Sequence, residues 1–327
     1  MTTERLSTGI RWGEVLRQSI VFIVLLALIL LFATLSERFL QPRNLTNILQ
    51  QNVHIIIVTI GVTLTMLVGG IDLSVGSVAA LAGAVSAGLI VNNGIPFWPS
   101  VIITLAMGFV IGGVNGGLIV WGKLPPFVAT LAMLGIARGL TLLYTQGRPI
   151  SGMGDAYTFW GRGDVPLPLI GEVPAPIVVA IVVIIVFALL MNYTRYGLHV
   201  YAVGGNEDTA RLAGIPVNRV KIITYGLSGL LAALAGMLLT ARLFSAQPQT
   251  GVGLELQAIA ASVLGGVSLF GGVGNVLSAV IGGLLIGVLA NGMNLLRVAS
   301  YQQQMIEGGV LVLAVAVDTI SRRFQRQ

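Results

Sequence analysis

Residues 55–91 read IIIVTIGVTLTMLVGGIDLSVGSVAALAGAVSAGLIV. One side chain in this stretch is charged, Asp72, and none follows before residue 122. A second stretch, 222–296, holds only two charges, Arg242 and Glu255. Soluble domains carry about 25% charged residues; this chain of 327 residues carries 9%, with 55% hydrophobic residues and a mean hydropathy of +0.93. Runs this long have no soluble fold, and a backbone in hydrocarbon must satisfy its own hydrogen bonds, which helices do within one segment. The expected class is all-α, a polytopic helical membrane protein.

Ten apolar runs have the 17–25 residues a span needs: 17–36, 53–70, 73–92, 97–121, 126–146, 174–193, 220–244, 255–271, 273–296 and 302–320. The first, at 19–35, lacks a small-residue cleavage site and reads as a retained span. Gly-rich joints interrupt the second, third, eighth and ninth, and a half-span that re-enters is the alternative there, tolerated where protein or a water-filled cavity covers it. With the N-terminus inside, eleven Lys and Arg fall in inner segments: Arg5, Arg11, Arg17, Lys123, Arg195, Arg211, Arg219, Lys221, Arg322, Arg323 and Arg326. Five fall outside (Arg38, Arg43, Arg148, Arg162, Arg297), and Arg138 and Arg242 sit near outer span ends. This bias places both termini in the cytoplasm, 194–219 inside and 147–173 outside. The whole chain, 1–327, is then one transmembrane unit. Its formal charge of +6 belongs to span-flanking loops and not to a nucleic-acid surface.

Enzyme chemistry finds no footing. There is no Cys, and His54 and His199 are far apart. Gly117 to Gly122-Lys123 has phosphate-loop spacing, but Leu124 stands where a Ser or Thr must reach Mg²⁺. Paired carboxylates within a span are missing, so no catalytic, cofactor or metal residue is expected. Asn44-Leu45-Thr46 is formally a glycosylation sequon, with nothing else to support its use.

The 43 glycines include GGVNGGL (112–118) and IGGLLIG (281–287), small residues at helical spacing that let backbones approach closely, within one subunit or at a dimer seam. LVGGIDLSVGS (67–77) echoes LGGVSLFGGVG (264–274), each at an inner joint, as an internal pseudo-repeat would.

Residues 204–221, GGNEDTARLAGIPVNRVK, are the polar exception. Asn206 suits an N-cap, and Glu207 and Asp208 suit a helix N-terminus. Thr209, Ala210, Arg211, Leu212 and Ala213 continue a helix that Gly214 stops and Pro216 ends. A helix of about two turns is unstable alone in water, and a mere linker has no need of both caps. Ala210, Ala213 and Gly214 leave a face that another surface can approach, so docking is favoured over a solvated link.

GGIDLSVGS (69–77), LPPFVATLAMLGIARGL (124–140), the 204–221 loop, AIAASVLGGVSLFGGVG (258–274) and NGMNLL (291–296) resemble the membrane permeases of ribose-, xylose- and arabinose-type ABC sugar importers. The resemblance runs from about residue 40 to about 320. It implies a bacterial inner-membrane protein that works as a pair of permease subunits, identical or sister, with an ABC ATPase subunit and a periplasmic sugar-binding protein, and that passes a monosaccharide. It also implies that 204–221 carries the coupling helix, with Arg211 and Glu207 as candidate contacts to the ATPase. Ribose, other pentose, hexose and furanose systems share these motifs.

Asp72, beside Ser74, has two readings: a cap for the span that follows, or part of a gate, since an ionisable group in an apolar stretch is a functional hypothesis by default. Asn115, Thr130, Gln257, Ser262, Asn291 and Asn294 could offer hydrogen bonds to a sugar along the path, or to neighbouring helices. Trp12, Trp98, Trp121 and Trp160 all lie at span ends or in loops, as anchors do. No Trp is mid-span to stack on a sugar, which suits a weak-binding conduit. A secondary transporter coupled to an ion gradient is the alternative; its acids, Asp72, Glu255 and Glu307, lie near span ends.

Overall fold

The computed structural model describes residues 12–168 and 171–325. Arg5, Arg11 and Arg326, and the side chains of Trp12, Arg17, Arg322 and Arg323, lie outside what it describes. In chain order the elements are α1 (Trp12–Leu35), α2 (Pro42–Leu67), α3 (Val75–Val91), α4 (Phe97–Val120), α5 (Pro126–Thr145), β1 (Ile150–Ser151), α6 (Asp155–Arg162), β2 (Asp164–Leu167), β3 (Gly171–Pro174), α7 (Ala175–Tyr193), α8 (Arg195–Gly205), α9 (Glu207–Leu212), α10 (Val217–Leu243), β4 (Ser245–Ala246), α11 (Leu254–Leu264), α12 (Val276–Leu295) and α13 (Ser300–Gln325).

Each of the ten expected spans corresponds to a helix. Among the described residues six helices are long and apolar enough to cross a membrane: α2, α4, α5, α7, α10 and α12. The chain is a multi-pass helical membrane protein. Two expectations need correction. The eighth span, expected at 255–271, ends at Leu264. Eleven residues rise about 16 Å, half of a hydrocarbon core of about 30 Å, and 265–275 is an irregular joint. Two small antiparallel ribbons accompany the helices among the described residues, β1 paired with β4 and β2 with β3. The second of these and α6 occupy 147–173, where only a loop was expected.

The helices form an inner and an outer set. The most apolar windows of α2, α10 and α12 are 72–78% buried, against 28–39% for α4, α5 and α7. A helix apolar on every face must be covered on every face, and α2 is buried without a break from Ile55 to Leu67. The outer set turns residues such as Ile102, Leu143 and Val182 outward, which suits lipid.

The packing of α4 on α10 rests on glycine. Gly108, Gly112 and Gly116 of α4 face α10, one per turn of helix. Methyl carbons on them would meet Ala233 and the Gly229 carbonyl, the Tyr225 carbonyl, and the Cα of Ile222. From the other side, Gly229 faces Gly108 and Gly112. Without a hydrophobic drive between helices in lipid, such close approach supplies the van der Waals contact. The first of the two small-residue runs thus packs within the subunit. In the second, Gly282 lies against the Ala261 carbonyl of α11.

The two echoing joints stop their helices alike. Gly69 (φ +80°) and Gly266 (φ +83°) are left-handed. Gly70 N donates to Thr65 O at 2.9 Å and Val267 N to Ser262 O at 2.9 Å, the long bond of a Schellman stop.

Candidate functional site

Two places gather the polar side chains, and the first is the 204–221 segment. Asn206 Oδ1 accepts from Thr209 N at 2.9 Å, the expected N-cap, worth about 1 kcal/mol. Gly214, at φ +81°, closes the other end, with its N–H donating to Arg211 O and Ile215 N to Ala210 O, each at 3.0 Å. α9 is therefore capped at both ends, as the residues required. Glu207 Oε1 accepts from Arg211 Nη2 at 3.1 Å, and Oε2 accepts from Lys221 Nζ. The Lys221 hydrogen bond holds the Glu207 carboxyl below its ordinary pKa.

Within this chain, Glu207 ties α9 to Lys221 of α10. Ala210 is only 4% exposed and packs inward, so it is not part of an open face. Asp208, Arg211, Ala213 and Gly214 are exposed, and Leu212 is 90% exposed, an apolar side chain held out from the protein.

Residues 195–205 were expected as loop and form α8. Thr194 breaks the helix from α7 and accepts from Gly197 N with its hydroxyl at 3.3 Å. Tyr196 Oη lies 2.8 Å from Thr224 Oγ1 of α10, and Tyr201 Oη donates to Gly274 O at 2.9 Å.

The second place is the joint at 68–74. Asp72 is fully buried. Its Oδ1 accepts from Ser74 N at 3.0 Å and Ser74 Oγ at 2.6 Å, and its Oδ2 from Ser228 Oγ of α10 at 2.8 Å. Asn115 Nδ2 of α4 donates to Ser74 Oγ at 2.9 Å. Thr130 Oγ1 of α5 donates to Ile71 O at 3.1 Å. Asp72, Ser74, Asn115 and Thr130 thus converge on one joint, and four elements meet there. The capping expectation changes: Asp72 makes a turn to Ser74 N, two residues on, while the residue at the start of α3 is Ser74, whose side chain accepts no first-turn amide. Ser228 and Tyr225 are additions from α10. Tyr225 Oη is buried against Gly70; it and Asn115 Oδ1 have no hydrogen-bond partner among the described residues.

The remaining path candidates lie elsewhere. Gln257 Nε2 donates to Glu307 Oε2 at 3.0 Å, joining α11 to α13. Asn291 exchanges two 3.0 Å bonds with Asn44, joining α12 to α2 and occupying the sequon asparagine. Asn294 Oδ1 accepts from Gln303 at 2.9 Å. Ser262 Oγ donates to Ala258 O at 2.8 Å and lies 3.0 Å from Thr63 Oγ1. In this structure each of these links helices or turns. Trp98 and Trp160 pack with Phe97 at the start of α4, ring centroids 5.0–6.4 Å apart.

The Asp72 site makes a stability prediction. Asp72→Leu leaves three buried donors without an acceptor, at about 1–3 kcal/mol each. Thermal unfolding in detergent should show a large drop for Asp72→Leu and a smaller one for Asp72→Asn, which keeps an oxygen for Ser74. Equal melting of both variants and wild type would show that these bonds carry no stability.

The family described as "Branched-chain amino acid transport system / permease component" matches residues 44–315. The chain belongs to this permease family. Its relatives include the ribose import permease protein of Bacillus subtilis (strain 168), 44% identical over 97% of this chain and 98% of the relative. The ribose import permease protein of Escherichia coli (strain K12) is 46% identical over 90% of this chain and 92% of the relative. The L-arabinose ABC transporter permease protein of Azospirillum brasilense is 37% identical over 96% and 91%. No solved structure matches. The permease's likeness therefore covers nearly the whole length of sugar-import relatives.

Proposed function

We propose that this permease is the membrane subunit of an ATP-driven (ABC) importer for a monosaccharide, with ribose as the first substrate to test. The ribose permeases are 41–46% identical to it, against 33–38% for the allose, xylose and arabinose relatives. The observation that carries the reading is α9: six residues, capped at both ends, held on the surface and salt-bridged to a buried helix. That is the form a docking element takes when it must pass force inward. ATP hydrolysis belongs to a separate subunit, and a periplasmic binding protein delivers the sugar.

The unit operates in the bacterial inner membrane as two permease copies, with the path between them and both termini cytoplasmic. Ten helical segments enter the bilayer, α11 from the outside to half depth. The segment 204–221 is the coupling loop of a single transmembrane unit, and the Asp72 joint with Ser74, Asn115 and Thr130 is its gate. Gln257, Asn291 and Asn294 hold helices together near the path.

Reconstitution into vesicles tests the reading. Uptake of labelled ribose should require the ATPase subunit, the binding protein and ATP. Uptake by the permease alone on a proton or sodium gradient would establish the secondary-transporter alternative instead.

A further inference from the structure

α8 makes contacts that neither a linker nor the coupling helix accounts for. Its last turn is Gly204-Gly205, followed at once by Asn206, the N-cap of α9. Gly204 packs against the carbonyl of Leu67, the last residue of α2, and against Gly272 N in the other joint. Gly272 N itself donates to Leu67 O at 3.0 Å. Gly271 and Gly272 stand at φ +93° and +71°. A carbon on Gly271 would lie 2.7 Å from Gly204 O and 3.0 Å from Gly69 N; one on Gly272 would lie 2.9 Å from Gly205 Cα. The two joints and the end of α8 therefore meet backbone to backbone, with no side chain between them. Upstream, Tyr201 holds the second joint at Gly274 and Tyr196 holds α10 at Thr224.

We infer that α8 is a strut, with Gly204 and Tyr201 as positioning residues, that delivers a displacement of the coupling helix to both glycine-rich joints at once. The inference rests on the importer reading and adds the route by which force enters the bundle. A side chain at the meeting point would give way under load; packed backbone transmits displacement because cores deform little. The joints are the places able to respond, since their positive-φ glycines interrupt the helix ladders that stiffen α2, α3, α11 and α12. One joint leads to Asp72 and α3, the other to α12, so one stroke reaches both echoing halves.

The test uses the complete importer, with its ATPase subunit and binding protein, in vesicles supplied with ATP and labelled ribose. Tyr201→Phe keeps the ring and removes one hydrogen bond. It should leave assembly and basal ATP hydrolysis unchanged and raise the ATP hydrolysed per ribose by about threefold to tenfold, the worth of one hydrogen bond. Gly204→Ala forces the joints from α8 and should abolish uptake while hydrolysis continues. Amide exchange over 68–74 and 265–275 should change on ATP binding in wild type and lose that response in Tyr201→Phe. A Tyr201→Phe importer with wild-type ATP per ribose and a wild-type exchange response would overturn the inference. So would uptake and hydrolysis falling together at an unchanged ratio, which is what a merely structural bond predicts. If Gly204→Ala does not fold, Tyr201→Phe still decides. Wild-type vesicles without ATP-dependent uptake of ribose, allose, xylose or arabinose would instead overturn the importer reading itself.

Discussion

Gly112→Leu should yield almost no folded permease, while Gly113→Leu, one residue away, should behave as wild type. A carbon on Gly112 has nowhere to go: it falls on the carbonyl of Tyr225, with Gly226 Cα 3.1 Å away. A carbon on Gly113 meets nothing within 4 Å. Since both obstacles at Gly112 are backbone, relief requires α4 and α10 to separate. Separation also pulls apart Gly108 from Gly229 and Gly116 from Ile222, and draws Ser228 from Asp72. Overpacking by a few methylenes costs about 1–3 kcal/mol in a core that can adjust; here leucine adds four carbons where none fits. Lipid also offers no hydrophobic drive to force the helices back together. The measurement is the yield of monodisperse protein after detergent extraction, with its melting temperature. Gly112→Ala should fall between the two. Equal yields for Gly112→Leu and Gly113→Leu would mean that α4 and α10 are not in backbone contact.

The helices were legible where hydropathy and helix coincide. They part company at α2 and α11, for opposite reasons. The start of α2 carries Arg43, Asn44, Asn47, Gln50 and Gln51, so polar content hides a helix that Pro42 begins. Past Leu264 the composition stays apolar, but Gly266, Gly271, Gly272 and Gly274 all take positive φ, which no right-handed helix contains. Greasiness records solvent and not backbone conformation. α6, α8 and the β2–β3 hairpin are short and mixed in polarity, and so gave hydropathy nothing to detect.

The candidate site divides the same way. Local chemistry showed both caps of α9, because a cap is written within a few adjacent residues. Asp72 was conspicuous as a lone charge, and Ser74 stood beside it. That Asn115 and Thr130 reach the same joint while Gln257, Asn291 and Asn294 do not is a matter of tertiary packing. Ser228, 156 residues from Asp72 in sequence, is one small hydroxyl in a Gly-rich helix, and nothing near it points to a buried carboxylate.

Ala213→Trp should abolish ribose uptake and leave membrane insertion and melting temperature as in wild type. Ala213 follows Leu212 at the end of α9 and is exposed. If a partner covers that surface, an indole there keeps the partner away. Truncations at the centre of an interface cost about 2–4 kcal/mol, or roughly 30-fold to 1,000-fold in affinity, and added bulk has at least that effect. Leu212→Ala gives the complementary measurement. A leucine 90% exposed contributes little to the fold of an isolated subunit, so its loss should shift stability by no more than about 0.5 kcal/mol. Seated in an ATPase pocket, it should cost about 2 kcal/mol or more of binding. Ala210→Trp separates the two kinds of failure: Ala210 packs inward, so that variant should lose stability first and uptake only as a consequence. Wild-type uptake by Ala213→Trp would leave α9 a capped surface turn with no partner, and the importer reading would lose the observation that carries it.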